Sequence, residues 1–200
     1  MKRTLSVGEV TSAFSGVIKA LKGDSDLACA TLGAAYVEKL LGVILRRLFV
    51  ESKSLTTRMF GTGGLLENSG GQNDIAMATG IISEECHRNI RLINGIRDEF
   101  AHSHRQVTFQ NVDVSNMCRD LTFFFPNKAA HKTFLRKMRF TAKQQFATAI
   151  GVSAGYLQIV EQFINQQENS LTVDKAIGKI MMTTPLVAAT LDGDEFSWSI

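Results

Sequence analysis

At 200 residues with 44% hydrophobic side chains, the chain is long enough for one domain with a buried core. Its 22 basic and 19 acidic residues leave a net charge of +3, which excludes a molecule basic all over in the manner of a general nucleic-acid binder. Cys29, Cys86 and Cys118 are odd in number and form no CxxC pair. They argue against a disulfide framework or a zinc site and predict buried free thiols in a reducing compartment.

The first ten residues, MKRTLSVGEV, lack the apolar core of a signal peptide. No uninterrupted apolar run reaches membrane-spanning length, so the expected location is cytoplasmic, with no membrane partner. A first helix is predicted over 5–22, with Val10, Phe14, Val17, Ile18 and Leu21 on one side. The stretch KGDSD breaks it, and Asp24 or Ser25 offers an N-cap for the next helix. That second helix, 26–49, has the clearest pattern: Leu27, Thr31, Ala34, Val37, Leu41, Ile44, Leu45 and Leu48 follow the spacing of a core-facing stripe.

Residues 61–73, GTGGLLENSGGQN, hold five glycines and read as a loop or a pair of turns. Without GK[ST] or a preceding strand, they are a weak candidate for cradling phosphate. A short helix is expected at 74–81. The next, from 84 to 102, opens with Glu84 and Glu85, which suit a helix N-terminus, and follows Ser83, which lacks the full capping box. Along it, Cys86, Ile90, Ile93, Ile96 and Phe100 share one side. Arg97 falls inside that arc, where a charge needs a partner. Asp98 and His102 lie one turn apart on another face, where a carboxylate can orient an imidazole.

Residues 105–112 read as loop, 113–124 as helix before Pro126, and 131–167 as helix that is either continuous or broken near Gly151 and Gly155. Residues 1–167 are thus expected to form the helical domain, and 168–200 a tail that packs loosely or meets another subunit. Leu121 to Val160 contain no Asp or Glu, while Lys128, Lys132, Arg136, Lys137, Arg139 and Lys143 cluster early in that stretch. They form either a nucleic-acid or anion contact or a solvated helix face. His104 reads as exposed, and His87 and His131 as isolated and solvated. With no histidine and carboxylate cluster at ligand spacing, neither a metal nor a cofactor is expected.

Three stretches carry a resemblance: SDLACATLGAAYVEKLLGVILRRLF, FGTGGLLENSGGQNDIAMATGIISEE and IRLINGIRDEFAHS. Their order and spacing, over about residues 24–125, resemble the mannitol operon repressor (MltR) family. The resemblance implies an all-helical, single-domain bundle of about five or six helices. It also implies a repressor-like transcription regulator that acts through protein partners, as a homodimer or higher oligomer, without a recognisable DNA-binding module. Nothing in this sequence has a short helix-turn-helix pattern with a basic recognition helix. The chain has Gly63-Gly64 where the family often has Gly-Pro, and Asn73-Asp74 where a basic residue is more usual.

A second resemblance overlaps the first. Arg97-Asp98-Glu99-Phe100-Ala101-His102 is similar to the RxxxxH motif of HEPN domains, many of which are dimeric, metal-independent ribonucleases. That resemblance implies an endoribonuclease or RNA-binding protein. His102 would be the general acid/base, Arg97 would stabilise phosphate charge, and Asp98 would orient His102. Residues five positions apart on a regular helix point about 140° apart, so the pair converges only if the helix loosens near Ala101 or a dimer completes it. The alternative is scaffolding, in which Arg97 ties down a neighbouring carboxylate or loop and His102 caps the helix end.

Overall fold

The computed structural model describes residues 21–22, 25–48, 52–102, 106–123, 133 and 139–165. Residues 5–20 of the first predicted helix, residues 168–200 and most of the basic cluster lie outside these residues; Leu21, at the end of that helix, is buried as expected. Within them the protein is all-helical, as the sequence predicts, with six helices: α1 (Asp26–Leu48), α2 (Lys53–Phe60), α3 (Ser69–Ala78), α4 (Glu84–His102), α5 (Val112–Asp120) and α6 (Ala142–Asn165).

α1 begins where Ser25 caps it, its Oγ accepting from Ala28 N at 3.1 Å. Asp26 in the first turn and Arg46 and Arg47 in the last complement the helix dipole. Its buried arc is Cys29, Ala30, Gly33, Ala34, Val37, Leu41, Gly42, Ile44 and Leu45. The predicted stripe therefore holds in its middle and fails at its ends. Leu27 is 51% exposed and Leu48 40%, and Thr31 is only half-buried. At about 100° per residue, Leu27 sits some 80° and Thr31 some 120° round from Val37, at the edge of the arc. Leu48 lies on the arc but at the last turn of the helix. By length and composition α1 is the one helix among the described residues apolar enough to cross a membrane. In this fold it is the central core helix, packed against α3, α4 and α6.

The small residues of α1 bring α6 close. A Cβ at Gly33 would stand 3.0 Å from Ile150 and 3.2 Å from Phe146. Phe146 continues into an aromatic row with Phe109 and Phe100, at centroid separations of 5.3 and 5.0 Å. Asp26 ties the same end together: one carboxylate oxygen accepts from Phe109 N, and the other meets Lys143 Nζ, each at 3.1 Å.

Several predicted boundaries move. α2 falls in a stretch with no predicted helix: it buries no residue, so no apolar stripe marks it, and only its Ser52 N-cap is visible locally. α3 starts at Ser69 rather than 74 and ends at Ala78 rather than 81. Asn68 caps it by accepting from Gly71 N at 2.9 Å, so Gly70 and Gly71 lie inside the helix. Gly71 is needed there for close approach, because a Cβ would sit 2.1 Å from the Leu65 carbonyl oxygen. α5 stops at Asp120, four residues short of its predicted end, because Leu121 is extended and the backbone of Thr122 pairs with Asn89.

α6 runs unbroken through Gly151 and Gly155, both buried, so of the two alternatives near those glycines the continuous helix holds. Its start is set instead by a capping box over Thr141-Ala142-Lys143-Gln144. Thr141 Oγ1 accepts from Gln144 N at 3.2 Å, and Gln144 Oε1 accepts from Thr141 N at 2.8 Å.

Candidate functional site

The stripe on α4 is buried as predicted: Cys86, Ile90, Ile93, Ile96 and Phe100 all face the core. The Ser83 hydroxyl accepts from Cys86 N at 3.3 Å and caps the helix. In a capping box, a Glu or Gln at the third helical position accepts from the cap's own N–H. Cys86 stands there instead, and the Tyr156 hydroxyl, arriving from α6, accepts from Ser83 N at 3.0 Å. α4 is thereby held at its start by α6 and along its length by α1.

This rigid helix carries Arg97 half-buried at the edge of its apolar face. The guanidinium donates from Nε (3.0 Å) and Nη2 (2.8 Å) to Asp98 Oδ1. Its Nη1 reaches Glu38 on α1 at 3.5 Å. Two carboxylates therefore balance the arginine, and one of them crosses to the neighbouring helix. Asp98 faces Arg97, and among the described residues no hydrogen bond joins it to His102. α4 keeps its helical form through His102, which is exposed at the last turn. On such a regular helix, Arg97 and His102 point about 140° apart and do not converge within one chain.

Other candidates fall elsewhere. Lys128, Lys132, Arg136 and Lys137 lie outside the described residues, as do His104 and His131. Arg139 is exposed at a turn with a φ of 47°, and Lys143 is paired with Asp26. His87 is corrected: it is neither isolated nor solvated. Its Nε2 lies 2.8 Å from Asp74 Oδ1, its side chain is 19% exposed, and its carbonyl accepts from Asn73 Nδ2. Among the described residues no group of His, Cys, Asp or Glu could hold a metal ion.

None of the three cysteines forms a disulfide and all are buried, on α1, α4 and α5, as expected. Burial, reinforced by neighbouring Cys29, pushes the Cys118 thiol up to about 12. A thiol so protonated is no nucleophile at neutral pH.

The glycine-rich stretch serves backbone packing. At Gly64 a Cβ would lie 2.3 and 2.4 Å from the carbonyl oxygens of Arg58 and Met59, so the loop folds back against the end of α2. The next turn delivers Asn73 and Ser69 to α4 and Gln72 toward Gly42 on α1. Gln72 Nε2 donates to Leu66 O at 2.9 Å, and Asn94 Nδ2 of α4 donates to Ser69 Oγ at 2.8 Å.

Sequence reasoning passed over Asn89, which is fully buried in the middle of the α4 stripe. It acts as a surrogate backbone for Thr122: its Nδ2 donates to the Thr122 carbonyl, and its Oδ1 accepts from the Thr122 N–H and hydroxyl. A polar residue inside an otherwise apolar helical arc is the one local signal that marked it.

Comparison with family models, with characterised proteins and with solved structures returns no match.

Proposed function

We propose that this chain is a regulatory helical protein, similar to the mannitol operon repressor family, which acts on transcription through contact with a protein partner. The observation that carries the reading is the state of Arg97. Its guanidinium is engaged by Asp98 and Glu38 and joins α4 to α1, which is the work of a scaffold residue. A general acid/base and a charge stabiliser must converge on one reacting group. Arg97 and His102 diverge along a helix that stays regular to its end.

Two further features support the reading. The three stretches that carry the resemblance form a contiguous unit, in which α1 packs against α3 and α4, and α3 against α4. The buried thiols, none in a disulfide, suit a reducing cytoplasm.

A ribonuclease of HEPN type is the second reading. What favours it is the exposure of His102 at the end of α4, where a second copy of the chain has access to it.

The deciding experiment incubates single-stranded RNA of mixed sequence with the purified protein in chelator, beside Arg97→Ala and His102→Ala. None of the three cleaves under the regulatory reading. Cleavage by the native chain that both variants lose overturns it. In the host, loss of the chain raises transcripts of a sugar-uptake operon and resupply lowers them. Unchanged transcripts reject the regulatory role.

A further inference from the structure

The end of α1 and the short α2 border a groove of about 570 Å³, lined by Arg46, Ser52, Lys53, Thr56 and Phe60 among others. Small-molecule sites typically span roughly 300 to 1,000 Å³. Arg46 and Lys53 bring two positive charges to it, and neither forms an ion pair among the described residues. By contrast, Arg47, Arg97 and Lys143 are each matched with a carboxylate.

Arg46 is held in place rather than left to wander. Its guanidinium carbon lies 4.1 Å above the Phe60 ring centroid. Its Nη1 lies 3.0 Å from the point that a Cβ on Gly42 would occupy. Gly42 is one turn earlier on α1, so its missing side chain is what lets the guanidinium lie back along the helix. Gln72 Oε1 lies 3.1 Å from the same point. That oxygen is buried without a hydrogen-bond partner, on a residue only 5% exposed. Arg46 is therefore positioned between an aromatic face and an unsatisfied acceptor, with no carboxylate paired to it among the described residues.

We infer that this groove binds the phosphate group of a phosphorylated small molecule, with Arg46 as the planar fork and Lys53 as the second cation. A phosphomonoester carries a charge of about −1.5 to −2 at pH 7, which two cations match and a single carboxylate does not. The guanidinium presents parallel N–H donors to two phosphate oxygens. Ser52 Oγ accepts from Leu55 N at 3.3 Å, so its own proton remains available to donate. Thr56 adds a second hydroxyl, and the volume left beyond a phosphate accommodates a small organic portion. This site is separate from Arg97 and His102 and does not depend on the regulatory reading.

The test is calorimetric titration of the full chain with glycerol 3-phosphate, inorganic phosphate and uncharged glycerol. Both phosphates bind with a Kd below about 1 mM and glycerol does not. Tighter binding of the ester assigns the organic portion to the groove, whereas equal affinity assigns free phosphate as the ligand. Arg46→Gln and Lys53→Gln each weaken binding by about tenfold or more. Arg58→Gln, an exposed cation of α2 outside the groove lining, leaves it unchanged. Gly42→Ala keeps every charge but crowds the Arg46 guanidinium, and it also weakens binding. Affinity falls as pH drops below about 6, where the phosphate becomes a monoanion. Absence of binding, or affinity indifferent to Arg46→Gln in a variant with native circular dichroism, overturns the assignment.

Discussion

Replacing Asn89 with Leu removes three hydrogen bonds while keeping the branching and heavy-atom count of the side chain. The Thr122 carbonyl loses its donor at 2.8 Å, and the Thr122 N–H and hydroxyl lose their acceptor at 3.0 and 3.1 Å. A buried polar group left without a partner costs about 1 to 3 kcal/mol. Thr122 is half-buried, so water reaches part of the vacated groups and pulls each toward the low end. Leu also buries apolar surface where Asn buried an amide, which offsets part of the loss. The expected net destabilisation is about 2 to 3 kcal/mol. In urea, with m near 2 kcal/mol/M, the unfolding midpoint falls by about 1 to 1.5 M at unchanged m. Thr122→Val removes only the hydroxyl and costs about 0.5 to 1 kcal/mol in the native background. It should cost almost nothing after Asn89→Leu, because the partner is already gone. A shift below about 0.5 kcal/mol for Asn89→Leu would show that the end of α5 is held by apolar packing instead.

Other substitutions probe the glycine turn, the thiols and the Arg97 pairing. Gly71→Ala places a Cβ 2.1 Å from a backbone oxygen and is expected to lower stability by about 2 kcal/mol or more. Gly70→Ala meets only the Asn68 side chain, at 3.3 Å, and stays within about 1 kcal/mol of native; equal effects on thermal unfolding would refute the close-approach argument. For Cys118, the folded-state pKa of about 12 exceeds the unfolded value of 9.0. Between those values the unfolded chain binds fewer protons, so stability is intact below 9.0 and falls as pH rises toward about 12. Cys118→Ala should flatten this alkaline decline relative to native, and identical slopes would contradict the assignment. Arg97→Met should cost about 1 kcal/mol, and adding Glu38→Gln should cost less than the sum of the two. Strict additivity in denaturant melts would mean that the 3.5 Å contact contributes nothing.

The local rules of helices carried the sequence a long way. Stripes at helical spacing located α1 and α4 nearly to the residue, because burial of one face repeats every three or four positions and needs no knowledge of the partner. The cap expected at Asp24 or Ser25, which Ser25 supplies, and the acidic first turn of α4 are likewise written within single turns. The demand that Arg97 find a partner was also legible, since a charge inside an apolar arc is costly wherever the arc goes. Its partner across the helix interface was not: Glu38 is 59 positions away, and only the packing of α1 on α4 brings it near.

The same limit hid the other links. Tyr156 completes the cap of α4 from 73 positions off, and Asn89 stands in for a strand partner to Thr122. α2 escaped because it buries no side chain and therefore has no stripe to read. Sequence by itself determined the helices that hide an apolar face and the middle of each buried stripe, because those choices are settled within a turn or two of chain. The tertiary structure alone decided which polar groups meet across those faces. Side chains distant in sequence acquire hydrogen-bond geometry only once the helices have packed.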